Sequence, residues 1–201
     1  MKTLNRKAAL LVVDMQEGFG DPEWGARNNP RLEDNVAALL AAWRQARQTV
    51  IHVHHDSPHV EGRLRRGTPG NDPIPRTRPI DKEKLYRKSV NSAFIGTSLE
   101  FDLRQSGIDT LVIVGLTTNH CISTTARMSG NLGFDTYVVS DATATFDRRG
   151  LDGRMRRAED VHMAALSDLN EEFAQIIDTA EVLAALSHED ESAPRGSHAH
   201  A

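Results

Sequence analysis

After a polar start the chain enters a continuous apolar run, Ala8-Ala-Leu-Leu-Val-Val13, which stops at Asp14. Apolar residues in a row without alternation describe a strand buried on both faces, the habit of parallel sheets. Between Leu32 and Ala46 the period changes, with Leu32, Val36, Leu39, Leu40 and Trp43 recurring at helical spacing. Thr49 to His54 reads as a second strand. From Ser57 to Pro79 five of the eight prolines and three glycines interrupt any period, so a long surface loop is expected there. Loops of that length without structure of their own tend to be functional; this one is expected to cover a crevice.

Beyond the loop, Thr97-Ser-Leu-Glu100 is a capping-box signature for a helix that should stop at Gly107. Thr110 to Leu116 is the next strand, and His120 to Asn131 the next helix, closed by Gly133. Asp135 to Ser140 is a further strand. A helix is expected from Met155 to Asn170, with Ala158, Val161, Ala165, Leu166 and Leu169 on one face. Phe173 to Ile177 makes a last short strand, and Thr179 caps a terminal helix reaching Leu186. Strands alternating with helices predict an α/β protein with a mostly parallel sheet and right-handed crossovers. Residues 1–186 form one domain in this reading, and 187–201, polar and dotted with histidine, a flexible tail.

Charge changes this picture little. A net charge of −4 gives no reason to expect a nucleic acid or an anionic membrane as partner. No apolar stretch approaches a bilayer span, and the polar residues 1–7 do not open a signal peptide. A cytoplasmic protein is the expectation.

Cysteine usage matters more. Cys121 is the only cysteine, which excludes an intrachain disulfide. It follows the strand Thr110 to Leu116 and a short polar turn, Thr117-Thr-Asn-His120, at the opening of a helix. Unpaired N–H groups and the helix dipole there favour a thiolate, so a lowered thiol pKa is expected. Free cysteine is also among the most buried residue types, so an inert core thiol is the competing reading.

In an open α/β sheet, ligands bind beyond the carboxyl ends of the strands, where strand order reverses. If the first strand and the strand before Cys121 are neighbours there, Asp14 and Cys121 face each other across one crevice. A carboxylate so placed can take a thiol proton and return it to a leaving group. Lys88, in Tyr86-Arg-Lys88-Ser-Val-Asn-Ser92-Ala-Phe94, would stabilise both anionic forms. Taken singly, a turn-capping Asp and a solvated loop Lys are the plainer readings.

Three blocks stand in register: Leu11-Val-Val-Asp14-Met-Gln16, Lys88 with Ser92-Ala-Phe94, and Gly115-Leu-Thr-Thr-Asn-His-Cys121. Together they resemble the signature blocks of the isochorismatase-like cysteine hydrolases, whose members include nicotinamidases, N-carbamoylsarcosine amidases and streptothricin hydrolases. The resemblance covers about Ala8 to Leu186. It implies a three-layer α-β-α sandwich around a six-stranded, doubly wound, Rossmann-like sheet. It implies Asp14 as general base, Lys88 as catalytic lysine and Cys121 as nucleophile. It further implies a cis Leu116–Thr117 peptide, with the N–H groups of Thr117 and Cys121 as the oxyanion hole.

On this resemblance the expected activity is hydrolysis of a C–N bond in a small amide, ureide or cyclic amide through a thioester. A vinyl-ether hydrolase is the alternative, and a catalytically silent binding or scaffold protein the non-enzymatic one. A thiol-redox role would want a resolving cysteine, and the sequence has none. Phe19, Trp24, Asn119 and His120 are the candidate substrate contacts, the aromatics as walls for a flat amide. Some nicotinamidase-like members bind a divalent ion, but the spacing in His52-Val-His54-His55-Asp56-Ser-Pro-His59 is wrong for that motif. No cofactor and no metal is therefore expected, and His54 or His55 lines the pocket or packs. Family members commonly self-associate, which makes a homo-oligomer the expectation.

Overall fold

The computed structural model describes residues 7–191. Its strands, in chain order, are β1 (Ala8–Val13), β2 (Val50–His55), β3 (Lys84–Lys88), β4 (Thr110–Leu116), β5 (Asp135–Ala144), β6 (Arg148–Arg149), β7 (Met155–Arg156) and β8 (Gln175–Ile177). Strands β6 and β7 pair with each other in a small antiparallel ribbon. The other six form one sheet in the order β3-β2-β1-β4-β5-β8, every pair parallel. The order reverses between β1 and β4, so the first strand and the strand leading to Cys121 are neighbours at the switch point.

The apolar run of β1 explains the layers. Ala8, Leu10 and Val12 enter one core with Leu32, Leu39, Trp43 and Val182. Ala9, Leu11 and Val13 enter the other with Leu99, Leu103, Ala126 and Leu166. Helices α1 (Leu32–Gln45) and α5 (Thr179–Glu191) therefore cover one face, and α2 (Leu99–Gln105), α3 (Ser123–Asn131) and α4 (Ala158–Leu169) the other. Truncating a wholly buried strand residue such as Leu11 would cost about 2–5 kcal/mol.

Several elements depart from the sequence expectation. Strand β3, Lys84-Leu-Tyr-Arg-Lys88, supplies the sixth strand that the resemblance implies but the residue pattern did not locate, because an edge strand carries charge rather than an apolar period. The Pro-rich loop holds two short 3₁₀ turns, Pro69–Asn71 and Pro75–Thr77. Thr97 does accept a hydrogen bond from the Leu99 N–H, but Glu100 pairs with Arg104 instead of closing a capping box. Met155 lies in β7, and α4 starts at Ala158. Its buried face is Ala158, His162, Leu166 and Leu169, with Val161 and Ala165 only half-buried. Helix α5 runs past Leu186 to Glu191, into the segment expected to be tail; 192–201 lie outside the described residues.

Candidate active site

Asp14 directly follows β1, and its backbone takes the left-handed conformation, with φ of 53°. That region is sparsely populated, and aspartate is among the side chains that tolerate it best. The Asp14 N–H donates to the Val53 carbonyl at 2.8 Å, anchoring the bend to β2. Across the switch point Val13 pairs with Gly115. A Cβ at Gly115 would stand 1.9 Å from the Val13 carbonyl oxygen, so only glycine lets the two strands close here.

Lys88, at the end of β3, reaches into the same crevice. Its Nζ donates to Asp14 Oδ2 at 2.7 Å and to Cys121 Sγ at 3.3 Å. Both side chains of the Lys88–Asp14 pair are fully shielded from solvent. Such a pair is held by its mutual charge and hydrogen bonding, since either ion alone would be strongly disfavoured there. The second carboxylate oxygen, Asp14 Oδ1, is buried and has no hydrogen-bond partner. The carboxylate thus carries one committed oxygen and one spare acceptor.

Cys121 lies in a π-helical turn, Thr118–Ile122, that runs on into α3. Single π turns recur at functional sites because they displace side chains from the regular helical register. The Leu116–Thr117 peptide is cis. The Thr117 carbonyl accepts from the N–H groups of His120 and Ile122, at 3.0 and 3.2 Å. Behind the turn Thr118 Oγ1 pairs with His162 Nδ1 at 2.8 Å, bracing it from α4.

The thiol pKa moves opposite to the helix-end expectation, upward to about 12. Burial is the largest cause and the Asp14 charge adds to it, while Lys88 pulls the other way. The dry pocket and the neighbouring carboxylate decide the direction here, not the helix end. The resting site therefore holds a neutral thiol beside a carboxylate–ammonium pair.

A cavity of about 140 Å³ opens onto these groups, and Asp14, His55, Thr117 and Cys121 line it. Phe19 and Trp24 form an apolar wall, their ring centroids 5.2 Å apart. Phe146, unremarked in the sequence, stacks behind both, 5.5 Å from Trp24 and 6.1 Å from Phe19. His120 is at the rim, its Nε2 3.0 Å from Arg148. Asn119 lines a different, outer cavity, with its Oδ1 taken by the Thr145 hydroxyl at 2.5 Å. Of the expected substrate contacts, then, Phe19, Trp24 and His120 meet Cys121 in one pocket and Asn119 braces the turn.

Four residues in or behind the pocket had no role in the sequence reading. Gln16 is wholly buried; its amide donates to the His55 and Asn71 carbonyls, and its Oε1 accepts the His55 N–H at 2.8 Å. Asn71 ties the Pro-rich loop to the end of β2 through the His55 and Leu64 carbonyls. Leu64 of that loop lines the cavity, so the loop does close over it. Asn91 lines the cavity too, its Oδ1 4.0 Å from Cys121 Sγ. Gln16 and Asn91 stand in the quoted segments, but the partners that give them a place in the pocket are remote in sequence.

The histidine-rich end of β2 does not gather into a divalent-ion motif. His52 and His54 share one strand face, His55 the other, and Asp56 is bound to Arg87 and Asn71. Among the described residues, the metal-type donors that converge are Asp14, His55 and Cys121, within 4.8 Å of one another. The Lys88 ammonium contacts all three, so a cationic group already sits between them. This donor set does not fit a divalent ion, and no step is derived through one.

A doubly wound parallel sheet with helices on both faces, and a cysteine, a carboxylate and a lysine converging at its switch point, places the chain in the α/β three-layer class. The chain belongs to the isochorismatase family: the Isochorismatase domain model matches residues 8–181. It is 43% identical over 180 residues to the isochorismatase family protein YrdC of Bacillus subtilis (strain 168), covering 90% of this chain and 96% of that one. Nicotinamidase 3 of Arabidopsis thaliana is 30% identical over 85% of this chain and 84% of its own length. A crystal structure of an isochorismatase-family protein from Chromobacterium violaceum ATCC 12472 superposes with a TM-score of 0.91 at 40% identity, over 94% of this chain and 97% of that one. Relatives of the chain thus include amidases. No helix among the described residues is long and apolar enough to cross a membrane.

Proposed function

We propose that the protein hydrolyses a C–N bond of a small amide, ureide or cyclic amide, with Cys121 as nucleophile. The observation that carries this reading is the buried Lys88–Asp14 pair in contact with the Cys121 sulfur, one Asp14 oxygen being unpartnered. That spare acceptor suits a proton in transit.

In the proposed cycle Sγ attacks the carbonyl carbon as its proton passes to Asp14. The thiol is neutral at rest, so attack and proton transfer are coupled rather than sequential. The N–H groups of Thr117 and Cys121 receive the oxyanion, where one such donor is typically worth about 10²–10³ in kcat. Collapse breaks the C–N bond, and Asp14 returns the proton to the departing amine or ammonia. Asp14 then takes a proton from water as the water oxygen adds to the thioester. The C–S bond breaks, and Asp14 passes that proton to the departing sulfur, so the acid leaves with thiol and carboxylate restored. Throughout, Lys88 holds positive charge between carboxylate and sulfur.

The aromatic wall of Phe19 and Trp24 and a cavity of about 140 Å³ support a small, flat acyl group. A panel of small amides, ureides and lactams, assayed for ammonia or acid release, tests the reading. Isochorismate belongs in the panel, since turnover of it without any amide would assign vinyl-ether hydrolysis instead.

A further inference from the structure

We infer that His55 is a positioning residue of the site: its Nδ1 is the third acceptor of the Lys88 ammonium and holds that group against Cys121. The inference rests on the reading of Cys121 as nucleophile and extends the site by one member.

An ammonium carries three N–H donors and no acceptor. In a dry pocket each donor needs a partner, because an orphaned one keeps its full desolvation cost. Lys88 Nζ has three: Asp14 Oδ2 at 2.7 Å, Cys121 Sγ at 3.3 Å and His55 Nδ1 at 3.4 Å. They come from three other segments, the residue after β1, the π-helical turn after β4 and the last residue of β2, so the ammonium is held from three directions. Sequence order conceals this arrangement, but the ladder creates it. His55 and Lys88 are register partners in the β2–β3 pair, which sets their side chains side by side on one face.

The backbone of His55 is unusually well tethered. Gln16 bonds both its N–H and its carbonyl, and Asn71 bonds the carbonyl again at 2.9 Å. The charged groups facing the ring are Lys88, Asp14 and Asp56, with the Val90 carbonyl as a backbone partner. Burial, and then the Lys88 charge, push the His55 pKa below its ordinary value. The imidazole therefore stays neutral near pH 7, and only the neutral ring keeps a lone pair on Nδ1 for the ammonium.

Alkylation of Cys121 by iodoacetamide across pH reads this directly, and with one cysteine in the chain the signal has a single source. Asparagine places its Oδ1 where Nδ1 stands, whereas leucine offers no acceptor and glutamine reaches past that point. H55L and H55Q should alkylate about tenfold more slowly than wild type in mildly alkaline buffer, their profiles displaced to higher pH. H55N should remain within about threefold of wild type, since it keeps the acceptor. The polar H55Q decides the matter should H55L fail to fold. H55Q or H55L matching wild type overturns the inference, as does H55N being as slow as H55Q, which would reduce the ring to packing. K88M separates this failure from that of the nucleophile reading. If K88M leaves Cys121 reactivity unchanged, the charge contact itself is idle and both readings fall; if K88M slows alkylation while H55Q does not, only the role of His55 falls.

Discussion

Two charged networks lie along strands β2 and β3, one at each end. At the carboxyl ends the Lys88–Asp14 pair borders the 140 Å³ cavity, leaving Asp14 Oδ1 without a partner. Toward the amino ends Glu83 is committed on both oxygens: Arg44 Nε takes Oε1 at 2.7 Å, while Arg44 Nη2, the Ile80 N–H and His52 Nε2 converge on Oε2. Burial alone would raise the Glu83 pKa, but the Arg44 and Ile80 hydrogen bonds outweigh it and hold the carboxyl low. The cavity beside Glu83 is the larger, about 450 Å³. Volume therefore does not mark the chemistry. The smaller cavity has an unsatisfied buried acceptor, a thiol and a wholly desolvated cation, whereas the larger has a saturated ion network that ties α1 to the sheet edge.

The largest effects should come from breaking the first network. Asp14→Asn and Cys121→Ser should each lower turnover by at least about 10³-fold. Cys121→Ser should keep its melting temperature near wild type. Asp14→Asn leaves the buried Lys88 without its counter-ion, so it should melt lower while its circular dichroism still shows the fold. Alkylation separates the two charges. Asp14 raises the thiol pKa and Lys88 lowers it, so Asp14→Asn should alkylate faster than wild type although it cannot turn over. An Asp14→Asn enzyme that is both active and no more reactive would sink the charge assignment.

The second network should answer in stability instead. Glu83→Gln sets an amide N–H₂ among the donors of Arg44, Ile80 and His52, and should cost about 1–3 kcal/mol by denaturant melt. Its kcat/KM on any substrate found should stay at the wild-type value. A large loss of activity without a loss of stability would erase the contrast between the two ends.

The smallest effect concerns His54, on the strand face away from the cavity. Burial first, then Arg87, lower its pKa from 6.5 to about 4. The unfolded chain takes up this proton first as pH falls, so stability is fully present above pH 6.5 and is lost progressively toward pH 4. Melting temperature should decline by a few degrees over that window, and His54→Thr should flatten part of the slope. His52, His55, His120 and His162, also lowered by burial, add to the slope.

Local patterns carried much of this architecture. The unbroken apolar run of β1 announced a strand buried on both faces, and Asp14 at its end needed only the neighbouring β4 to meet Cys121. What escaped was set by pairing across the sheet. Lys-Leu-Tyr-Arg-Lys has no apolar period, so Lys88 read as a loop residue until the ladder made it the end of an edge strand. Asn71 and Phe146 show no local signal, each being defined by a partner remote in sequence, while Gln16 and His55 stood in noticed segments whose partners the sequence does not show. The direction of the thiol shift was missed for a related reason. A helix end is visible in sequence, but the dryness of the pocket and the nearness of a carboxylate are not.

A single hydrogen atom sets the width of the Asp14–Cys121 gap. Where Val13 of β1 pairs with Gly115 of β4, the lack of a side chain at Gly115 leaves room for the Val13 carbonyl, which immediately precedes Asp14. The reach between carboxylate and sulfur is thus ruled by backbone against backbone, not by the fit of neighbouring side chains. One added methyl group at Gly115 would act as a wedge, leaving both groups intact and out of each other's reach.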